Sequence, residues 1–383
     1  MKKQAKPHIF GAAPVRQHAM ASAVERQIAV NLCMQENLTE AEKFTRSLTD
    51  RYPQDGFGWK VYGVTLSKLG RTADSLAPLQ KAASLMPMDF EAFNNLGCTH
   101  QGLRNAEYAE ACYRRAIELN PGFLDALGNL AELLCEHNRS DEAVAIYQQR
   151  LRHAPEDGYT RHMIAKLTGQ NTERAPDKYV STVFDLYADN FDTHLTQSLR
   201  YDAPTQLVQL LIKHTGEGRS WDALDLGCGT GLVGAAIAPH TRSLAGIDLS
   251  PKMLDKARAR GLYQRLACAD VLAAMQTEPA GSYDVIVSAD VFIYIGKIDD
   301  VIREAHRLLR ADGLIAFSIE LLETAPGAEQ PYRLESSGRY SQSLAYLDKL
   351  ANDNGFTVVE MVPSAIRTEG DKPVNGYLVV WQR

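Results

Sequence analysis

Four prolines, Pro53, Pro87, Pro121 and Pro155, recur at an interval of 34 residues. A fixed period of that length restricts the first part of the chain to one supersecondary unit built again and again. The apolar residues keep the same frame. The second unit reads Trp59, Tyr62, Gly63, Leu66, Leu79 and Ala82; the third reads Phe93, Leu96, Gly97, Ala109, Tyr113 and Ala116; the fourth reads Leu127, Leu130, Ala131, Leu134, Ala143 and Tyr147. Small residues hold the eighth position (Ala29, Gly63, Gly97, Ala131) and the twentieth (Ala41, Ser75, Ala109, Ala143), so two antiparallel helices can approach closely. Proline closes the second helix of each unit, because it has no N–H to donate and drives the preceding residue out of the helical region. One unit cannot bury its apolar face alone, and about three must stack for stability. The first unit fits least well: Glu25 stands where a large apolar residue belongs and Thr45 where Tyr or Leu is expected, which suits a polar cap.

This pattern resembles the tetratricopeptide repeat. The resemblance implies an all-α solenoid over residues 20–157, behind a basic tail of residues 1–19. A concave groove of that kind takes a partner protein or a substrate protein; alternatively the array positions the second domain or joins two copies of the chain as a homodimer. No residue set in it identifies a ligand.

Beyond Pro155 the period fades, and residues 158–180 read as a capping helix and linker. From Tyr179 apolar strands alternate with helices. Helices are expected over 180–190, 203–214, 251–260 and 297–309. Strands are expected at ALDL, SLAGID, RLACAD, YDVIVSAD and GLIAFSIE, with FTVVEMV and GYLVVWQ at the end. Such alternation predicts a parallel sheet with helices on both faces and a ligand beyond the carboxyl ends of the strands.

The stretch ALDLGCGTGLVGAAIA, residues 223–238, carries two overlapping glycine signatures. From Gly229 it reads as the dinucleotide fingerprint G-x-G-x-x-G; from Asp225 it reads as Asp-Leu-Gly-Cys-Gly-Thr-Gly. Three acids decide between them. Asp225 sits two residues before the first glycine, where a dinucleotide strand carries an apolar residue. Asp248 closes the second strand, where an acid can accept from ribose hydroxyls in either case. Asp270 closes the third.

Together these residues resemble the class I S-adenosylmethionine (SAM) dependent methyltransferases, over about residues 180–383. The resemblance implies a Rossmann-like domain, residues 181–383, with a mostly parallel seven-stranded sheet and SAM as cofactor. Gly227, Cys228, Gly229 and Gly231 would form the loop against the methionine part, with Asp225 near its ammonium. Asp248 would take the ribose, Leu249 and Met253 the adenine face, and Asp270 with Val271 the adenine edge. Ser288 closes the fourth strand beside them.

The segment VFDLYADNFDTHLTQSLRYDAPTQLVQLL is similar to that of a bacterial group of methyltransferases carrying tetratricopeptide repeats. It implies a helical lid whose Tyr187 and Tyr201 cover the cofactor; Tyr187 and Phe191, four apart, would otherwise be core. Two further stretches fit the group, Ser288–Gly296 and Ser336–Leu347. A histidine is common there where Gln342 stands here.

Methyl transfer from a sulfonium needs no acid for departure, and alignment does most of the work. A base is needed only where the acceptor loses a proton. Asp290, just after the fourth strand, is the candidate base, with a cap on the following turn as its alternative use. Tyr294, Arg339 and Tyr340 are candidates for holding a small-molecule acceptor, Arg339 through a carboxylate or phosphate fork.

A net charge of −6 argues against a nucleic-acid partner. So does the absence of a [DN]-P-P-[YF] run or a Pro-Cys pair after the fourth strand. No apolar run approaches a membrane span, and no signal-peptide core follows the basic start, so the expected place is the cytoplasm. The six cysteines include no C-x-x-C pair and read as small buried residues; no metal site is expected.

Overall fold

The computed structural model describes residues 20–188, 191, 202–216, 218, 220–323, 330–369 and 372–383. The basic tail, and with it any role for residues 1–19, lies outside them. The chain divides into two compact units, one running to Pro155 and the other starting at Glu156.

In the first unit the period becomes helix pairs: Ala23–Met34 with Leu38–Arg51, Gly56–Lys68 with Thr72–Leu85, Phe90–Gly102 with Ala106–Leu119, and Leu124–Glu136 with Ser140–His153. The residue before each proline (Tyr52, Met86, Asn120, Ala154) leaves the helical region, with φ between −128° and −140°. The small residues of both positions are buried. At Gly97 the reason is direct: a Cβ would lie 2.6 Å from Cε1 of Tyr113, a fully buried ring whose hydroxyl donates to Gln101.

In the first pair the two departures from the repeat pattern are met locally. Glu25 is drawn to the start of its own helix, where it forms a capping box with Ser22 and an ion pair with Arg51 at 2.6 Å. Those bonds, the Ser22 N–H first, hold its carboxyl down at about 2. Thr45 is buried, its hydroxyl donating to the Ala41 carbonyl at 2.7 Å. The exposed side of the first helix and the residues leading into it carries Met20, Val24, Ile28 and Met34 together with Gln27 and Asn31.

The second unit is built on one sheet: β1 Trp221–Leu226, β2 Thr241–Asp248, β3 Arg265–Cys268, β4 Tyr283–Ser288, β5 Leu309–Leu321, β6 Tyr332–Leu334, β7 Tyr340–Gln342, β8 Thr357–Glu369 and β9 Lys372–Gln382. The order is β3-β2-β1-β4-β5, parallel throughout. β9 then pairs antiparallel with both β5 and β8. Among the described residues nine strands stand where seven were expected, because the short hairpin β6–β7 joins β5 in parallel at Glu320 and Leu321. Helices Ala203–Thr215 and Leu232–Ile237 cover one face around Leu207, Val287 and Val380. Helices Val271–Thr277, Asp299–Leu308 and Leu344–Asp353 cover the other around Ile286, Phe317 and Trp381.

The stretch expected to link the halves packs within this second unit. Its helix, Gly158–Thr168, ends at Gly169, and Ala165 and Ala175 share a small core with Leu334 and Tyr340. Among the cysteines, Cys33 and Cys228 are buried as expected, but Cys98 and Cys268 are exposed.

Candidate functional site

The sheet delivers its loops to one edge. Gly227 follows β1 with φ +63°, and a Cβ there would sit 2.3 Å from Cγ2 of Val291, which follows β4. Only glycine gives both the left-handed backbone and that close approach. The Cys228 N–H donates to the Ile247 carbonyl at 2.9 Å and the Gly231 N–H to the Cys228 carbonyl at 2.8 Å, so the loop is fixed before helix Leu232–Ile237 begins. Above it lies a cavity of about 600 Å³, bounded by the loops after β1, β2, β3 and β4 and by helix Asp177–Tyr187. That volume and its largely apolar wall are usual for a small-molecule site.

Asp248, at the end of β2, lines the cavity and accepts backbone N–H bonds from Gly229 and Ser250, each at 2.8 Å. Burial raises its carboxyl above the ordinary range, opposed by those N–H groups. Each oxygen keeps a further acceptor position, so the group fits ribose hydroxyls. The Ser250 hydroxyl donates to Asp185 and ties the helix over the cavity to the same loop.

Asp270 also lines the cavity, but its carboxylate is already engaged. One oxygen accepts from the Ala273 N–H at 3.0 Å and the other is paired with Arg174. Burial would raise this acid; the Arg174 guanidinium and the N–H bonds outweigh it and keep the carboxyl below its ordinary value.

The far part of the cavity is polar. Asp290 has φ +57°, a left-handed conformation that Asp adopts more readily than most residues. Its carboxylate does not cap the following turn: Ser318 donates to one oxygen at 3.0 Å and Arg367 to the other at 3.2 Å. Burial raises this acid and Arg367 opposes the rise. Glu320 joins Arg367 to Arg339, accepting from Arg339 Nε at 3.0 Å. Tyr294 stands edge-on to Phe184, with ring centroids 5.4 Å apart, and burial raises its hydroxyl above the ordinary range.

Of the expected site residues, Tyr187, Gly227, Cys228, Gly229, Asp248, Leu249, Asp270, Val271, Asp290, Tyr294 and Arg339 line this one cavity. Phe191, expected with Tyr187 either as a lid aromatic or as core, lines it too. Asp225, Gly231, Met253, Ser288 and Tyr340 are not among the residues that line it. Asp225 lies beneath the glycine loop, 1% exposed, accepting from the Tyr263 hydroxyl at 2.6 Å. Its other oxygen has no hydrogen-bond partner among the described residues, and burial pushes its pKa up to about 7. Met253 and Ser288 are core. Gly231 starts the helix with φ +90°. Tyr340 is fully buried against Thr172 and His162. Tyr201 lies outside the described residues. Gln342, in the histidine position, donates to the Phe292 and Ile295 carbonyls at 2.9 and 3.0 Å and braces the loop after β4.

Sequence reasoning missed Arg174, Tyr179, Phe184 and Arg367, all of which line the cavity. Val180, Phe184, Tyr187 and Phe191 continue the spacing of three to four already noted at Tyr187. Arg367 interrupts an apolar strand, and Arg174 gives no local signal.

The fold and this glycine-and-acid edge are those expected of a class I methyltransferase domain with SAM as its cofactor. Residues 224–315 match the family model described as a methyltransferase domain, and residues 103–167 match a tetratricopeptide repeat model. The chain thus carries a methyltransferase domain behind tetratricopeptide repeats. Methyltransferase-like protein 27 of Homo sapiens is 38% identical over 106 residues, 27% of this chain and 43% of that protein. A probable SAM-dependent methyltransferase of Saccharomyces cerevisiae, CRG1, is 28% identical over 174 residues, 43% of this chain and 57% of that protein. These matches span about half the length of those relatives. The magnesium protoporphyrin IX methyltransferase of Synechocystis, solved with S-adenosylhomocysteine, superposes with a TM-score of 0.41 at 17% identity, over 54% of this chain and all of that one. No helix among the described residues is long and apolar enough to cross a membrane, and no group of three or more His, Cys, Asp or Glu residues among them could hold a metal.

Proposed function

We propose that the second unit transfers a methyl group from SAM to an oxygen or nitrogen of a small acceptor, while the repeats hold a protein. One observation carries this reading: a single cavity joins Asp248 and Asp270 to the half-buried Asp290. SAM supplies an electrophilic methyl carbon on a sulfonium. Gly227 and Gly229 leave room for its methionine part, Asp248 holds the ribose and Leu249 packs on the adenine. Phe184, Tyr187 and Phe191 keep water from the reacting atoms. Asp290 takes the proton that the acceptor loses on attack. Its raised pKa suits a base, and Ser318 and Arg367 fix its direction. Arg339 and Tyr294 orient the acceptor.

The test is calorimetry of S-adenosylhomocysteine against NAD. Binding is expected for the first and not for the second. Asp248→Ala should weaken it by roughly 1–3 kcal/mol, the cost of losing a buried charged partner. Unchanged affinity in that variant overturns the ribose placement. A folded protein that binds neither ligand overturns the enzyme reading in favour of a repeat adaptor.

A further inference from the structure

Beneath the glycine loop, three glycines make room for one side chain. A Cβ at Gly231 would lie 3.1 Å from Cε2 of Tyr263, one at Gly234 2.5 Å from its Cζ, and one at Gly246 2.9 Å from its Cδ1. These glycines belong to the end of the loop, to helix Leu232–Ile237 and to β2, so the ring touches each element that shapes the loop. The segment carrying the ring is held as well. Arg260 Nε donates to the Thr230 carbonyl at 2.6 Å, the Gln264 N–H donates to the Leu244 carbonyl at 3.0 Å, and the Gln264 side chain accepts from the Leu244 N–H at 2.6 Å. A hydroxyl on a ring fixed this way is aimed before any ligand arrives.

That hydroxyl donates to Asp225 at 2.6 Å, and the second carboxylate oxygen is buried with no hydrogen-bond partner among the described residues. The ionisable groups around Asp225 among those residues are Tyr263, the Cys228 thiol and Asp248, none of them a cation. Burial raises the acid to about 7, so near neutral pH it holds a proton or a charge according to what stands close by. The loop above it faces the cavity through Gly227, Cys228 and Gly229. We propose that Asp225, positioned by Tyr263, senses the charge of the molecule in the cavity and favours the sulfonium cofactor over the product that has lost that charge. A positive charge above the loop supplies the counter-charge that the carboxylate lacks, across protein of low dielectric, and the acid gives up its proton. A neutral thioether supplies none, and the acid takes the proton back. Tyr263 acts only through Asp225: its hydroxyl favours the ionised form, and its ring keeps the carboxylate under the loop. The inference rests on the SAM reading above.

Calorimetry of SAM and of S-adenosylhomocysteine from about pH 5.5 to about pH 8.5, on either side of the Asp225 transition, tests it. In the wild-type protein the ratio of the two affinities should move toward SAM by roughly three- to thirtyfold as pH rises, the scale of one charge acting across several ångströms of protein. Asp225→Asn keeps the shape and cannot ionise, so this shift should disappear. Tyr263→Phe keeps the ring among the three glycines but removes the donor to the charged carboxylate, so the shift should move to higher pH. A ring that merely packs would leave the wild-type profile unchanged in that variant. Thermal melting shows that each variant is folded, and either one decides the matter alone. The same ratio in wild type and Asp225→Asn at every pH, or a wild-type profile in Tyr263→Phe, overturns the proposal and leaves the SAM reading standing. A wild-type protein that binds neither compound overturns both.

Discussion

The two halves of the chain bury polar groups in opposite ways. In the repeats, buried hydroxyls are satisfied within their own helix: Thr45 donates to Ala41, Thr65 to Val61 and Ser75 to Thr72, at 2.7–2.8 Å. Their charges pair with a neighbouring unit, as in Arg26 with the buried Asp55, Lys60 with Asp89 and Arg139 with Glu110, each 29 residues apart. In the methyltransferase unit, half-buried acids find partners far along the chain: Asp290 with Arg367 at a separation of 77, Asp270 with Arg174 at 96. Asp225 keeps an oxygen with no partner among the described residues. The repeats thus settle polar groups with near neighbours, whereas the second unit draws acids to partners distant in sequence, which raises or fixes their ionisation as the proposed chemistry requires.

A pair of glycine substitutions should sharpen this contrast most. Gly227→Ala meets both the positive φ and the Val291 methyl at 2.3 Å, and should cost roughly 2–5 kcal/mol of strain and overpacking at the cofactor loop. S-adenosylhomocysteine affinity should collapse with it. Gly97→Ala meets only the Tyr113 ring, and the gain of about 1 kcal/mol in helix propensity offsets part of the clash. Urea unfolding should show a loss of roughly 0–2 kcal/mol with ligand affinity kept. Equal effects on affinity would mean that the halves do not differ in this way.

The next effect is pH-dependent and confined to the second half. Asp225 is raised to about 7 by burial, so the folded unit binds a proton that the unfolded chain releases near 3.8. Its contribution to stability is fully present below that lower value and is lost as pH rises through about 7. Wild-type unfolding free energy should fall across this window relative to Asp225→Asn, by up to about 1.4 kcal/mol per pH unit. Parallel curves for the two proteins at pH 5 and pH 8 would show that Asp225 does not titrate there.

The smallest effect belongs to the repeat surface. Arg139 donates to Glu110 and Glu142 at 2.6 and 2.7 Å but is 36% exposed. Arg139→Ala should change the unfolding free energy by about 0–1 kcal/mol. A larger loss would give these inter-unit pairs a role that solvent screening does not allow them.

These differences explain how much could be read in advance. The 34-residue period set the helix pairs, the small contact positions and the proline breaks, because repeat contacts join neighbouring units and local sequence encodes them. At Glu25 and Thr45, where the pattern fits least, capping and back-bonding within a helix answer the polar groups. In the second half, apolar alternation gave the parallel strands. Gly227, Asp248 and Asp270 marked the cavity because strand ends carry their function to one edge. The same reasoning could not tell an acid above the glycine loop from one beneath it, since Asp225 and Asp248 both end strands. Only packing put Tyr263 against Asp225 and left Asp248 facing the cavity.

By itself, then, the sequence determined the repeat array, the class of the second domain and the strand-end acids, all features written in spacings of a few to 34 residues. Tertiary structure decided which residues share the cavity. Arg174, Arg339 and Arg367 come from the entering segment, the turn before β7 and the antiparallel β8, with no common spacing. Their meeting follows from sheet order and burial, and it sets the ionisation of Asp270 and Asp290 on which the proposed chemistry depends.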